Sequence, residues 1–256
     1  RRPRSARGPD ASLLRCGAVR GGHLPGRLRP GGRGLGRRRA WLIGAGPALA
    51  GLGISPAAQA GGQLEEPLAD SVRTALAAAV AGNGAPPRLE FVSTEARLAH
   101  LRWLGAMSDR LARRKPDFNV RREFLETVWY ESRRAGLDTA LVLGLIEVES
   151  GFRKYAISVV GARSYMQVMP FWARTIGDGD ASRLFHMQTN LRFGCVILRH
   201  YLDRERGDLF MALGRYNGSR GKAPYPNMVM AARRRWEHPD AVTASPVLAA
   251  APTPTR

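Results

Sequence analysis

The chain has 256 residues, room for one or two domains with a real core. Its formal charge of +19 is unevenly spread: residues 1–60 hold twelve arginines against one aspartate, which leaves a moderately basic body suited to an anionic polymer. No zinc-finger spacing, aromatic-basic sheet motif or basic-zipper heptad accompanies that charge, so nucleic acid is not the expected polymer.

Residues 1–36 are dominated by Arg, Gly and Pro and hold too few large hydrophobes to fold by themselves. They read as an over-extended start or an unusual leader. Arg37-Arg38-Arg39, the apolar run from Ala40 to Ile54, and Ala58-Gln59-Ala60 then form the three parts of a cleavable signal peptide. Cleavage is expected after Ala60, placing the mature chain in the periplasm; an uncleaved membrane anchor is the competing reading. The apolar run falls short of the roughly 20 residues that a transmembrane helix needs, so no span is expected after cleavage. Residue 61 is Gly, which gives no site for lipid attachment. Arg38-Arg39-Ala40-Trp41-Leu42 is similar to a twin-arginine export signal, and the ordinary secretory route fits as well.

Residues 61–117 read as a helical N-terminal region. Glu65–Val80 is Ala-rich and helical by pattern. Thr94–Arg114 carries Leu98, Leu101, Leu104, Met107 and Leu111 at spacings of three and four, with Ser93 or Thr94 as its cap. Further helices are expected over Val120–Ala135, Asp138–Ser150, Pro170–Ile176, Gln188–Glu205, Leu209–Tyr216 and Pro226–Trp236. Strand alternation is nearly absent, so the fold class is all-α. Residues 118–237 form the main domain, and 238–256 read as a disordered tail.

The five histidines are scattered without ligand spacing, so no metal and no cofactor are expected. Cys195, flanked by Phe193, Val196 and Leu198, reads as a small buried hydrophobe. The informative stretch runs from Ala140 to Pro170. A helix rich in Val, Leu and Ile ends on Glu147-Val148-Glu149-Ser150-Gly151, and Gly161–Pro170 follows after a short bridge. A carboxyl group in apolar surroundings has a raised pKa and can give up a proton near neutral pH, as cleavage of a glycosidic bond requires. Glu147 and Glu149, two residues apart, face nearly opposite sides of the helix. Glu149 shares its face with Val142, Leu145 and Ile146, and Glu147 with Ala140, Leu143 and Gly144. From the helix alone, either could equally be a paired structural carboxylate.

Three blocks in order carry a resemblance: Glu149-Ser150-Gly151-Phe152, Gly161-Ala162-Arg163-Ser164-Tyr165-Met166-Gln167-Val168-Met169-Pro170, and Ala212-Leu213-Gly214-Arg215-Tyr216-Asn217-Gly218. Asn190-Leu191 and Gly194 fit between the last two. The chain resembles the SLT-type lytic transglycosylases, whose catalytic domain is similar to goose-type lysozyme, over about 118–237. The resemblance implies an all-α, lysozyme-like catalytic domain acting as a monomer on peptidoglycan glycan strands. Glu149 would serve as a single acid and base, closing a 1,6-anhydro ring on N-acetylmuramic acid. Ser150, Tyr165, Met166, Gln167, Tyr216 and Asn217 would line the substrate cleft. Tyr165 could stack on a sugar, and Tyr216 could bond the Glu149 carboxyl. Phe171 and Trp172 could wall the cleft.

The chain departs from the family pattern at Ser164, where Gly is usual and where a positive φ would strain Ser. Tyr165 replaces an aliphatic residue, and Val159-Val160 fill a loop where small or polar residues are common. A hydrolytic muramidase on the same fold is the first alternative, with Asp178 or Asp180 as second carboxylate. A non-catalytic wall-binding protein with a degenerate cleft is the second, and a basic nucleic-acid binder the third.

Overall fold

The computed structural model describes residues 62–82, 86, 89–243 and 246–247. The leader and signal peptide expected over 1–60 lie outside them. The described residues form nine α-helices: α1 Asp70–Val80, α2 Thr94–Leu111, α3 Phe118–Arg134, α4 Thr139–Ser150, α5 Pro170–Ile176, α6 Met187–Arg204, α7 Leu209–Asn217, α8 Pro224–Arg234 and α9 Asp240–Thr243. A short 3-10 turn spans Ala181–Phe185, and two-residue strands β1 (Glu90–Phe91) and β2 (Pro246–Val247) pair antiparallel. The all-α class expected from the sequence is the class observed. Among the described residues, no helix is long and apolar enough to cross a membrane.

Helix α6 runs through the centre and buries twelve residues, among them Leu191, Phe193, Cys195, Ile197 and Leu198. Helix α4 is apolar on nearly every side because α3, α8 and the following loop all cover it. Helices α1 and α2 add Leu76, Val80, Trp103, Met107 and Leu111 to the same core. Trp103 and Trp129 meet with ring centroids 4.4 Å apart, and burial pushes the neighbouring His100 down to about 4.

Two ends were misjudged from the sequence for local reasons. Helix α1 starts at Asp70 rather than Glu65. Pro67 disfavours a helical Glu66, and the Glu66 carboxylate is drawn away to Arg204 and Arg215. Helix α8 starts earlier than expected, since Pro224 and Pro226 both sit in its first turn, where a missing N–H costs nothing.

The spaced leucines of α2 mark a helix, as observed, while Leu98 and Leu101 face solvent and the buried face is Ala99, His100, Trp103, Met107 and Leu111. Within the stretch from 238, the described residues carry α9 and β2. Arg102 clamps Asp240 with hydrogen bonds of 3.0 and 3.1 Å, and Arg133 bonds the Ala241 carbonyl, which holds α9 on α2 and α3.

Candidate active site

The sequence of α4 dictates where its acid arrives. Asp138 caps the helix, its Oδ1 accepting from Ala140 N at 3.0 Å. Gly151, at φ +57°, ends it in the left-handed conformation that glycine adopts without cost. Twelve residues between these signals carry Glu149 into the last turn.

Helix α8 lies antiparallel against α4, with Arg233 paired to Asp138 at 2.7 Å at one end. A Cβ on Gly144 would stand 2.5 Å from Arg233 N, so the two backbones touch there. That approach brings Tyr225, at the opposite end of α8, onto Glu149. The Tyr225 hydroxyl donates to Glu149 Oε1. Oε2 is buried and has no hydrogen-bond partner among the described residues.

Glu149 is only 5% exposed. Burial pushes its carboxyl up to about 8, and the Tyr225 bond pulls the other way without cancelling it. The group is therefore largely protonated at neutral pH. Glu147, two residues earlier, meets the opposite fate. Burial raises its pKa, but hydrogen bonds from Trp236 Nε1 at 2.8 Å and from Arg114 and Arg235 outweigh it and hold the group below the usual carboxylate range. One helix thus presents a neutral acid on one side and an ion-paired carboxylate on the other.

The Gly161–Pro170 block is fastened to this helix. The Ser150 hydroxyl donates to the Tyr165 carbonyl at 2.8 Å, and the Tyr216 hydroxyl to the Met166 carbonyl at 2.7 Å. Asn190 Oδ1 accepts from Met166 N at 2.9 Å, while its Nδ2 donates to the carbonyls of Arg163 and Leu184. Gln167 Nε2 donates to Ser164 O at 2.9 Å and Ala156 O at 3.2 Å. Met166 covers Gly194, where an added Cβ would come within 2.7 Å of the Met166 Cβ.

Several expected roles change with these placements. Tyr165 is buried against Phe124 and accepts from Lys115 Nζ at 2.8 Å, so it packs the core rather than presenting a face to a sugar. Met166 fills the core beneath the loop. Tyr216 is fully buried and bonds Met166, leaving the contact with Glu149 to Tyr225. Ser150 joins helix to loop. Asn217, at the end of α7, donates from Nδ2 to Ser219 Oγ at 3.0 Å and keeps a buried Oδ1 without a partner. Ser164 does adopt φ +64°, and its buried hydroxyl has no partner among the described residues.

The candidates for a second carboxylate are placed in turn chemistry. Asp180 caps the 3-10 turn through Ser182 N at 2.8 Å, and Asp178 pairs with Arg183. Both are exposed and held below the ordinary carboxylate range, by Ser182 in the case of Asp180 and by the Asp180 backbone N–H in the case of Asp178.

Two residues near the site were missed from the sequence. Tyr225 carries no signal beyond an aromatic between two prolines. Gln63 is buried beside α5, its Oε1 accepting from Trp172 Nε1 at 3.0 Å and Met169 N at 3.4 Å. Nothing in the extended segment 62–69 sets it apart.

The family model for the transglycosylase SLT domain matches residues 127–228. A transglycosylase of Enterobacteria phage PRD1 is 34% identical over 115 residues, 42% of this chain and 42% of that protein. The membrane-bound lytic murein transglycosylase C of Mannheimia succiniciproducens is 48% identical over 89 residues, 31% of this chain and 25% of that one. That of Haemophilus ducreyi is 43% identical over 94 residues, 32% and 26% of the respective chains. The chain thus spans less than half the length of each of these relatives. Among solved structures, a lytic transglycosylase Slt of Pseudomonas aeruginosa aligns over 59% of this chain and 28% of its own, with 19% identity and a TM-score of 0.36.

Proposed function

We propose, from the match of residues 127–228 to the family model for the transglycosylase SLT domain, that the chain is a peptidoglycan lytic transglycosylase with Glu149 as its single acid and base. The observation that carries the residue assignment is the burial of Glu149, which raises its pKa, with Oε2 left without a partner among the described residues. The names of the relatives support murein as the polymer. The basic body suits its anionic peptide stems.

Glu149 Oε2 gives its proton to the glycosidic oxygen between N-acetylmuramic acid and N-acetylglucosamine as the bond to the anomeric carbon breaks. The resulting carboxylate, steadied by the Tyr225 hydroxyl, takes the proton of the muramoyl 6-hydroxyl. That oxygen closes onto the anomeric carbon as a 1,6-anhydro ring, and Glu149 ends protonated for the next cycle. No water is consumed. Ordinary glycosidases need two carboxyls at defined separation. Here Tyr225 is the side chain bonded to Glu149, and the two candidate second carboxylates, Asp178 and Asp180, are engaged in turn contacts with Arg183 and Ser182. Asn217, whose Oδ1 has no partner among the described residues, is the group assigned to hold the sugar, while the Gln167 amide nitrogen is engaged by Ser164 and Ala156.

We assign 37–60 as the cleaved export signal, 61–117 as a helical layer, 118–237 as the catalytic domain and the periplasm as the site of action. The test is Glu149→Gln, which keeps size and hydrogen-bonding capacity but cannot supply the proton. Incubated with isolated sacculi, the parent releases soluble muropeptides. The variant binds sacculi and releases about 10²–10⁴-fold less. Undiminished release would remove Glu149 from the mechanism.

A further inference from the structure

The loop Arg153–Gly161, between the acid helix and the Gly161–Pro170 block, exposes apolar side chains that catalysis does not explain. Val159 is fully exposed, Tyr155 71%, Ile157 65% and Val160 54%. Four large hydrophobes in six residues form one patch, which a solvated surface ordinarily avoids.

The patch is presented rigidly. Ser158 and Ala162 close a tight turn, with Gly161 N donating to Ser158 O at 2.9 Å, Ser158 N to Ala162 O at 3.1 Å and Ala162 N to Ser158 Oγ at 3.1 Å. Gly161, at φ +85°, completes it and holds Val159 and Val160 at the tip. The base is pinned by Ser164 N to Ala156 O at 2.8 Å and by an antiparallel bridge from Ile157 to Arg163. Little ordering entropy remains to be lost when the tip is buried.

Cations and aromatics flank the tip. Lys154 Nζ sits 5.3 Å from the Tyr155 ring centroid, and the Arg163 guanidinium 5.4 Å over Phe185, whose ring lies 6.1 Å from that of Tyr155. Arg153 is exposed beside them. From Ser150 to Gly177 the sequence holds Arg153, Lys154, Arg163 and Arg174 and not one Asp or Glu. An aliphatic tip, an aromatic at its edge and flanking basic side chains match the three layers of an anionic bilayer surface: acyl chain, interface and headgroup.

We propose that the Arg153–Gly161 loop docks the enzyme on an anionic phospholipid membrane. Val159 and Val160 enter the acyl boundary, Tyr155 lies at the interface, and Arg153, Lys154 and Arg163 meet the phosphates. The inference stands on the loop alone and does not require the catalytic reading.

The test reads the loop directly, so that any lipid contact of the leader does not enter. A Val159→Cys substitution in the full chain, with Cys16→Ser, carries a nitrobenzoxadiazole label; Cys195 is buried and stays unlabelled. Arg113→Cys labels an exposed position outside the loop. With vesicles containing phosphatidylglycerol, the label at 159 brightens and shifts to the blue, that at 113 does not, and vesicles of phosphatidylcholine alone give a weaker response. Val160→Asp in the labelled chain weakens apparent affinity for the anionic vesicles about tenfold or more. Three results would overturn the proposal: a label at 159 that stays water-like with both vesicles, a response to sacculi but not to lipid, or a shift that depends on protein concentration without vesicles and so reports self-association.

Discussion

The Tyr225 hydroxyl donates to Glu149 Oε1, and this bond joins the first turn of one helix to the last turn of another. It fixes the direction of the carboxyl and leaves Oε2 open. It also opposes the rise in pKa that burial imposes. Removing it therefore has two separable effects, one on geometry and one on titration.

Cleavage by a protonated Glu149 is expected to fall as pH rises through about 8. Tyr225→Phe deletes a bond that favours the charged form, so the alkaline fall moves to higher pH. The same change lowers kcat about tenfold through lost orientation. A pH–rate profile of parent and variant on isolated sacculi reads both effects. A profile that moves down in pH would contradict the assignment.

Stability carries the same signature. Between about 4.5 and about 8 the folded Glu149 holds a proton that the unfolded chain has released. The native state then binds more protons, and this contribution to stability is lost as pH rises across that window. Glu149→Gln removes the slope. Urea unfolding at pH 5 and pH 8 should show the variant gaining on the parent at the higher pH.

Ser164 sits at φ +64° with a buried, unpartnered hydroxyl. Both features cost stability in the resting protein. Ser164→Gly is expected to raise stability by about 1–2 kcal/mol, since glycine takes this conformation without a Cβ clash. The shift in the urea midpoint measures it, and a destabilised variant would show that the hydroxyl contributes to folding.

Arg192 and Glu131 are buried together, bonded at 2.7 and 3.0 Å, and Arg192 also bonds the carbonyls of Ala81 and Gly82 past the end of α1. Arg192→Ala leaves the buried Glu131 carboxylate to the longer contact with Arg134 at 3.7 Å and is expected to cost about 3–5 kcal/mol. Arg192→Met with Glu131→Leu should recover most of that loss, because neither charge is then left unpaired. Equilibrium unfolding of the two variants decides it.

The helices were legible from the sequence because their signals are local. Ser93 caps α2 as its position before the helix suggests, Asp138 caps α4, and prolines and glycines mark most other ends. The split between Glu147 and Glu149 was legible as helix geometry. Which of them is neutral was not, because Arg114, Trp236 and Tyr225 come from elsewhere in the chain. The same holds for Tyr165 and Tyr216. Their positions could be read from the motifs, but their burial depends on Lys115, Phe124 and the course of α6, which no local pattern encodes. Gln63 reaches Trp172 across more than a hundred residues.

The origin of the new bond at the anomeric carbon tests the central claim most directly. The full chain is incubated with isolated sacculi in water enriched in oxygen-18, and the released muropeptides are weighed by mass spectrometry. A single carboxyl acting twice predicts 1,6-anhydromuramoyl ends that carry no oxygen-18. Reducing ends carrying oxygen-18 would mean that water attacks, and would contradict the account.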